Sequence, residues 1–477
     1  MKIPRILITA PSSGGGKTML TCGILQALLN RGYYPAAFKC GPDYIDPMFH
    51  KRVLGVDSYN LDTFLCGKDG VKNVLKQHGN QSDIAVMEGV MGYYDGLAGI
   101  STDASAYDVA DVTETPAILL VDCKGLSVSV LPVIEGFLGY KKNSRIGGVI
   151  LNRLSPMMYG RMKKMIEEQM SITVFGYLPV MKDVTFESRY LGLKLPNEVE
   201  KIKEQIQSLG KQVEKSIDLE GLIKLAESAP EVKVDVSLKN ETDGDCLDSY
   251  SAGRKNPDLA YEKIKIGIAQ DEAFCFIYRD NKELLERMGA ELVPFSPLRD
   301  EKLPKNISGI LLYGGYPELY AEKLSANQAM RVEIKQKLEK GLPCMAECGG
   351  FMYLMEEMEG SDGKNYPMVG SIKGASYQTH SLKRFGYITL SGGTVFEKNV
   401  GDIPAHEFHY YDAEECGHAF TAKKPLSERH WKCMISTETL FAGYPHLYYQ
   451  GNPKIAEAFL EACKKEKNKG GITEDHK

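Results

Sequence analysis

Two short stretches of the chain combine residue types at spacings that can do chemistry. In ILITAPSSGGGKTMLTCGILQALL, Gly14, Gly15 and Gly16 are followed at once by Lys17 and Thr18, between an apolar strand-like run and an amphipathic helical one. Glycines at that place let backbone N–H groups approach phosphate oxygens with no Cβ in the way, and a helix N-terminus adds the positive end of its dipole. Lys17 is then placed to reach β and γ phosphates and Thr18 to ligate Mg²⁺, with Ser13 in the same loop. The first glycine of the usual GxxxxGKT spacing is Pro11 here, so a strict motif match fails. The competing reading is a glycine-rich turn without nucleotide. Strand, Lys-Thr pair and helix falling in register weigh against it.

The second stretch is PCMAECGGFMYLMEEM, which reads as a strand, a tight turn at Cys348 and a helix. A thiol on such an elbow is exposed, has its pKa lowered by the helix N-terminus, and lets the following N–H, here that of Gly349, join an oxyanion hole. A second donor is expected from YGGYPE, where Gly314 and Gly315 follow another strand; Gly315 is the candidate. A free cysteine is more often a small buried hydrophobe, and the turn context is what argues otherwise. The thiol needs a base, for which His380, His406, His409 and His446 are in range of the same domain, whereas His78 is not and His430 lacks a comparable loop. His446 in LFAGYPHLYYQGNP is the expected base, with His406 and His409 in support.

Acidic residues gather where strands end near the glycine loop: Asp43 and Asp46 in KCGPDYIDPMFH, Glu88 and Asp95 in VMEGVMGYYDG, and Asp122 after AILLV. A nucleotide-bound metal needs one or two hard oxygen ligands beside Thr18, and other carboxylates can orient an acceptor. Taken singly, each reads equally well as a loop cap. Lys39 either meets phosphate or an acidic substrate, or neutralises its aspartate neighbours.

The elements that must hold these residues form two alternations. Arg5–Thr9, Ala36–Cys40, Ile84–Glu88, Ala117–Asp122 and Ile146–Asn152 read as buried strands with helices between, implying parallel strands with ligands at their carboxyl ends. Lys265–Gln270, Gly309–Gly315 and Pro343–Glu347 open a second α/β unit, and short antiparallel strands are expected beyond Ser371. The expected fold is α/β: an N-terminal P-loop parallel-sheet domain at 1–230, a polar linker at 231–262, a C-terminal α/β domain at 263–465 and a flexible tail at 466–477.

The 477 residues suit two or three domains, and 43% hydrophobic with 25% charged residues excludes a mostly disordered chain. With 58 Lys plus Arg against 63 Asp plus Glu, no overall basic field exists for nucleic acid or an anionic membrane. No run approaches a membrane span, and eleven cysteines without CxxC pairing suit reduced thiols, so a cytoplasmic protein is expected.

Beyond the motifs already quoted, the chain carries LNRL at Leu151–Leu154, SRYLGL at Ser188–Leu193, HEFHY and the terminal YPHLYYQGNP. Nearly its whole length closely resembles the cobyrinic acid a,c-diamide synthases, dethiobiotin-synthetase-like amidoligases fused to a triad-type, class I glutamine amidotransferase. The resemblance implies ATP-Mg²⁺ at Gly14–Thr18, with Asp46 and Glu88 on the metal side and Asp43, Asp95 and Lys39 on the acceptor side. It likens Asn152 to an adenine-reading asparagine and gives Cys348 and His446 the glutaminase roles. Many relatives complete the triad with His-x-Glu, where this chain has Tyr448. The implied reaction amidates the a and c carboxylates of the tetrapyrrole through an acyl phosphate and channelled ammonia from glutamine. Hydrogenobyrinic acid and nickel sirohydrochlorin are alternative rings, and a homodimer stays open. A partitioning-type ATPase switch is the rival of another class, disfavoured by Ser12 in place of its signature lysine and by the thiol domain.

Overall fold

Five apolar runs separated by helices build the first half into a parallel sheet. The computed structural model describes residues 2–184, 196–234, 263–379 and 381–474; SRYLGL at 188–193, His380, most of the expected linker and the last three residues lie outside it. The chain divides into two units, Met1–Asp235 and Val236–Lys477.

In the first unit the strands are β1 (Arg5–Thr9), β2 (Pro35–Cys40), β3 (Ser58–Leu61), β4 (Ile84–Glu88), β5 (Ala117–Asp122), β6 (Ile146–Asn152) and β7 (Val174–Leu178). They lie in the order β3-β2-β4-β1-β5-β6-β7, every pairing parallel. All residues of β1, β2 and β4 are buried, as both faces of a helix-covered parallel sheet require. Helix α1 (Lys17–Asn30) covers one face and packs through Gly23 on Leu209 and Val213 of the helix Pro196–Ser216. β3 and β7 were not among the expected strands. β3 has only four residues, two of them the buried polar Ser58 and Asn60, so it lacks an apolar run.

The second unit holds a six-stranded sheet ordered Ala290–Phe295, Ile264–Ala269, Ile310–Leu312, Cys344–Glu347, Leu440–Gly443 and Ile435–Ser436, parallel but for the last pair. The run expected as one strand at 309–315 is two: Ile310–Leu312 stays in this sheet, while Gly314–Gly315 pairs antiparallel with Phe274–Phe276. The antiparallel strands expected beyond Ser371 are present, including a five-stranded sheet in which Ile403–His409 pairs with both Arg384–Ser391 and His446–Leu447. The last helix, Lys454–Glu474, carries regular structure into the stretch expected as a tail from 466. Among the described residues, no helix is long and apolar enough to cross a membrane.

Candidate active sites

The glycine loop connects β1 to α1, and its shape follows from what lies beneath it. Gly16 stands at φ +95°, and a Cβ there would come within 2.5 Å of Asn152 Nδ2. Asn152 occupies that space because its Nδ2, at the end of β6, donates to the Gly15 carbonyl at 2.8 Å. Its Oδ1 accepts from the Arg153 N–H, so both ends of the amide likened above to an adenine reader brace backbone in this structure. Lys17 Nζ donates to the carbonyls of Ser12 (3.1 Å) and Met91, folding it back over the loop. Burial, then the neighbouring Lys39 ammonium, bring the Lys17 amine down to about 8.

The parallel register of β2 and β4 sets Lys39 directly beside Glu88. Thr18 Oγ1 donates to Glu88 Oε1 at 2.6 Å, and Lys39 Nζ approaches the same oxygen at 2.8 Å. The ammonium also lies 2.6 Å from Asp46 and 4.0 Å from Asp43. Burial, then Asp46, push Glu88 up to about 7 and Asp43 up to about 6. Burial also opposes the Asp46 charge, but Lys39 outweighs it and holds that carboxylate below its ordinary range. Lys39 in turn stays well above its ordinary value because Glu88, Asp46 and Asp43 overcome its burial.

Thr18, Lys39, Asp43, Asp46 and Glu88 are thus brought together. Asp95 is exposed, and its carboxylate caps its own loop by accepting from the Gly92 N–H at 2.9 Å. Asp122 is engaged by Arg153, at 2.7 Å from Nε. The sequence reading missed His50, which is fully buried with Nδ1 3.1 Å from Ser58 Oγ and Nε2 3.8 Å from Glu88 Oε2.

The donor set fits Mg²⁺. Thr18, Asp46 and Glu88 offer hard oxygens, and Glu88 Oε2 is buried with no hydrogen-bond partner. Among the described residues no group of three or more His, Cys, Asp or Glu is arranged to hold a metal alone. Mg²⁺ takes few protein ligands and completes its shell with phosphates and water, so a sparse set beside a phosphate loop is what it needs.

In the second unit Cys348 joins the strand Cys344–Glu347 to the helix Gly349–Leu354 at φ 49°, ψ −107°, a strained left-handed backbone for a non-glycine residue. Its N–H donates to the Gly443 carbonyl at 2.8 Å, fixing the elbow to the neighbouring strand end. Three residues beyond Gly443 the chain reaches His446. A Cβ on Gly314 would lie 2.7 Å from His446 Cε1 and 3.5 Å from Cys348 Cβ, so the cysteine and the imidazole flank a position that has no side chain. A Cβ on Gly349 would lie 3.3 Å from the Gly315 nitrogen, which puts the two expected oxyanion donors side by side.

His406 faces His446 across the strand pair. His409 stacks on Tyr444 at 4.1 Å and lies 3.4 Å from Glu407, so it supports the wall of the site. His78 stacks on Tyr59 in the first unit, and His430 is exposed. Glu347 lies 3.9 Å from His446 Nδ1 and was missed by sequence reasoning; its signal was an acidic residue closing the buried strand CMAE.

One expectation is corrected. Cys348 is 8% exposed, and its thiol is pushed well above the ordinary value rather than lowered. Burial is the main cause, with Glu318, Glu407 and Glu347 adding to it, against the Gly349 N–H donated to the sulfur. A six-residue helix does not offset that desolvation. The resting group is therefore a thiol rather than a thiolate. Burial, then His409, bring His446 down to about 3, so its imidazole is neutral and able to accept the proton.

Comparison with known proteins follows this division. Residues 6–192 match the CobQ/CobB/MinD/ParA nucleotide binding domain and residues 265–454 the CobB/CobQ-like glutamine amidotransferase domain. Cobyrinate a,c-diamide synthase of Caldanaerobacter subterraneus subsp. tengcongensis is 36% identical, covering 96% of this chain and 98% of its own. The same-named proteins of Clostridium acetobutylicum and Clostridium tetani are 39% and 38% identical, covering 94% and 96% of this chain and 97% and 99% of their own. The chain belongs to the cobyrinate a,c-diamide synthase family. It is an enzyme, a carbon–nitrogen ligase with glutamine as amido donor. The phosphate cluster falls within the nucleotide-binding match, and both Cys348 and His446 fall within the amidotransferase match.

Proposed function

We propose that the enzyme amidates the a and c side-chain carboxylates of cobyrinic acid in cobalamin biosynthesis, using ATP for activation and glutamine for nitrogen. The observation that carries this reading is the pairing of two sets of groups in one chain: hard oxygens and Lys39 beside a glycine loop in one unit, and a strained cysteine and a neutral histidine flanking Gly314 in the other. A carboxylate is a poor electrophile until an oxygen is phosphorylated, and ammonia is mostly protonated at neutral pH, so both activation and a local source of ammonia are needed.

The amides of Ser13 to Gly16 and the Lys17 ammonium hold the polyphosphate, on a loop that Asn152 braces. Thr18, Asp46 and Glu88 would hold Mg²⁺, which when bound neutralises phosphate charge. Lys39, paired with Asp46 and Glu88 in this structure, would meet the acceptor carboxylate, with Asp43 4.0 Å from its ammonium and Asp95 capping its own loop. The acceptor oxygen attacks the γ-phosphorus, ADP leaves, and an acyl phosphate forms. In the second unit the Cys348 proton passes to His446 as sulfur attacks the glutamine amide carbon. The oxyanion meets the Gly315 and Gly349 N–H groups. Ammonia departs with the proton returned by His446, and water hydrolyses the glutamyl thioester. The ammonia then displaces phosphate from the activated acid. The ten described cysteines are all free, which supports a reducing, cytoplasmic setting.

Incubating purified protein with glutamine, ATP-Mg²⁺ and, in separate reactions, cobyrinic acid, hydrogenobyrinic acid or nickel sirohydrochlorin tests the reading by the mass change per amide. Two amides on cobyrinic acid support it. Preference for another ring reassigns the substrate, and ATP hydrolysis with no amide on any ring strikes the ligase reading.

A further inference from the structure

The acid that many relatives place two residues after the histidine is Tyr448 here, and its hydroxyl donates elsewhere, to Asp280 at 2.9 Å. Something else must set the imidazole, because a base works only when the correct nitrogen is unprotonated and faces the nucleophile. The sheet supplies a carboxyl from another direction. Glu347 ends the strand Cys344–Glu347, one residue before the nucleophile, and pairs in register with Gly443, three residues before His446. Its Oε2 accepts from the Leu447 N–H at 3.3 Å and lies 3.9 Å from His446 Nδ1. Both side chains are buried, and Glu347 Oε1 has no hydrogen-bond partner. A buried carboxyl with one oxygen unmet is costly to keep.

We propose that Glu347 is the positioning residue for His446: its Oε2 accepts the Nδ1 proton, leaving Nε2 as the nitrogen that takes the Cys348 proton, and its carboxylate faces the imidazolium so formed. The inference rests on the glutaminase reading above. At 3.9 Å the two atoms are not hydrogen-bonded to each other in this structure; on this proposal the contact forms as the site tightens around substrate. Burial pushes Glu347 up to about 8, so before glutamine binds the carboxyl is largely neutral and Oε2 acts as a carbonyl-type acceptor. The reacting form is the one in which Glu347 has already released its proton to solvent, so that a carboxylate faces the imidazolium when the thiol proton reaches Nε2. The other titratable groups facing this set include Tyr313 and Tyr449 beside Glu347, His406 and His409 beside His446, and Glu318, Glu407 and Tyr444 beside the thiol.

The test compares Glu347→Gln, Glu347→Asp and Cys348→Ser in the full-length enzyme, reading glutamate release, ammonia-dependent amidation, and the pH profile of Cys348 alkylation by iodoacetamide. Loss of an orienting acid in comparable hydrolases costs on the order of 10⁴ in kcat. Glu347→Gln should lower glutaminase kcat on the order of 100-fold or more, with KM for glutamine within about threefold, displace the alkylation profile, and leave ammonia-dependent amidation intact. Glu347→Asp, which keeps the charge, should recover part of the loss and serves alone if the amide variant does not fold. Unchanged kcat and alkylation profile in Glu347→Gln, or equal losses in both variants with KM rising in step, overturn the proposal. Glutaminase surviving Cys348→Ser would instead strike the glutaminase reading itself.

Discussion

Replacing Lys39 by Met removes a buried cation while keeping most of its apolar stem, and the consequence can be worked from distances. The ammonium lies 2.6 Å from Asp46, 2.8 Å from Glu88 and 4.0 Å from Asp43. Removing one partner of a buried ion pair costs about 3–5 kcal/mol, since the remaining charge keeps its desolvation penalty. For a unit of this size that corresponds to a fall of roughly 10 °C in its melting temperature. The sign with pH follows from the carboxyls. Asp43 and Glu88 already stand at about 6 and about 7, above their unfolded values of 3.8 and 4.5. A raised folded pKa gives stability that is present below the unfolded value and lost as pH rises through the folded one. Asp46 is held low by Lys39 and forfeits that support in the variant. The deficit should therefore be small at pH 5 and full by pH 8, and Mg²⁺ at pH 8 should restore part of it. Differential scanning calorimetry of both proteins at the two pH values, with and without Mg²⁺, measures this. Equal loss at pH 5 and pH 8, or a fall below about 2 °C at pH 8, would refute the claim that Lys39 neutralises a buried carboxylate cluster.

Cys348→Ser should lose glutamine-dependent synthesis and retain synthesis from added ammonia, read by product mass with each nitrogen source. Lys17→Ala should lose both, because activation of the acid precedes amide formation whichever nitrogen is used; survival of either would contradict the assignment. Gly314→Ala places a Cβ 2.7 Å from His446 Cε1, so glutaminase kcat should fall at least tenfold while ammonia-dependent synthesis persists. Gly16→Ala meets Asn152 Nδ2 at 2.5 Å at a φ of +95°, and nucleotide affinity measured by calorimetry should fall by at least tenfold.

The parallel sheet of the first unit was legible because β1, β2, β4, β5 and β6 are apolar runs ended by glycine, proline or charge. β7 escaped as a short segment, VFGYL, interrupted by Gly176. The strand read at 309–315 divides at Tyr313 because Gly315 must lie against Ala273, where a Cβ would meet the carbonyl oxygen at 2.1 Å. Spacing alone carries no such tertiary contact. Within the sites, residues on one loop or strand end were legible, as with Lys17, Thr18 and Cys348. His50 and Glu347 were not, since each matters through a neighbour that only sheet register supplies. Asn152 was singled out, but its hold on Gly15 spans 137 positions of sequence.

The thiol expectation failed for a reason that separates the two sites. A pattern of strand, turn and helix announces an elbow but not the depth at which it is buried, and depth decides the sign of the pKa change. Around the glycine loop, charge is buried with its countercharge: Lys39 stays protonated because Asp46 and Glu88 are within ion-pair distance. Around Cys348, burial drives the thiol and Glu347 up and His446 down, so each is held in its uncharged form. Such a site carries no resting thiolate to react with stray electrophiles. On the proposed mechanism an ion pair forms only once a substrate carbonyl is bound, so the resting thiol should alkylate slowly near neutral pH.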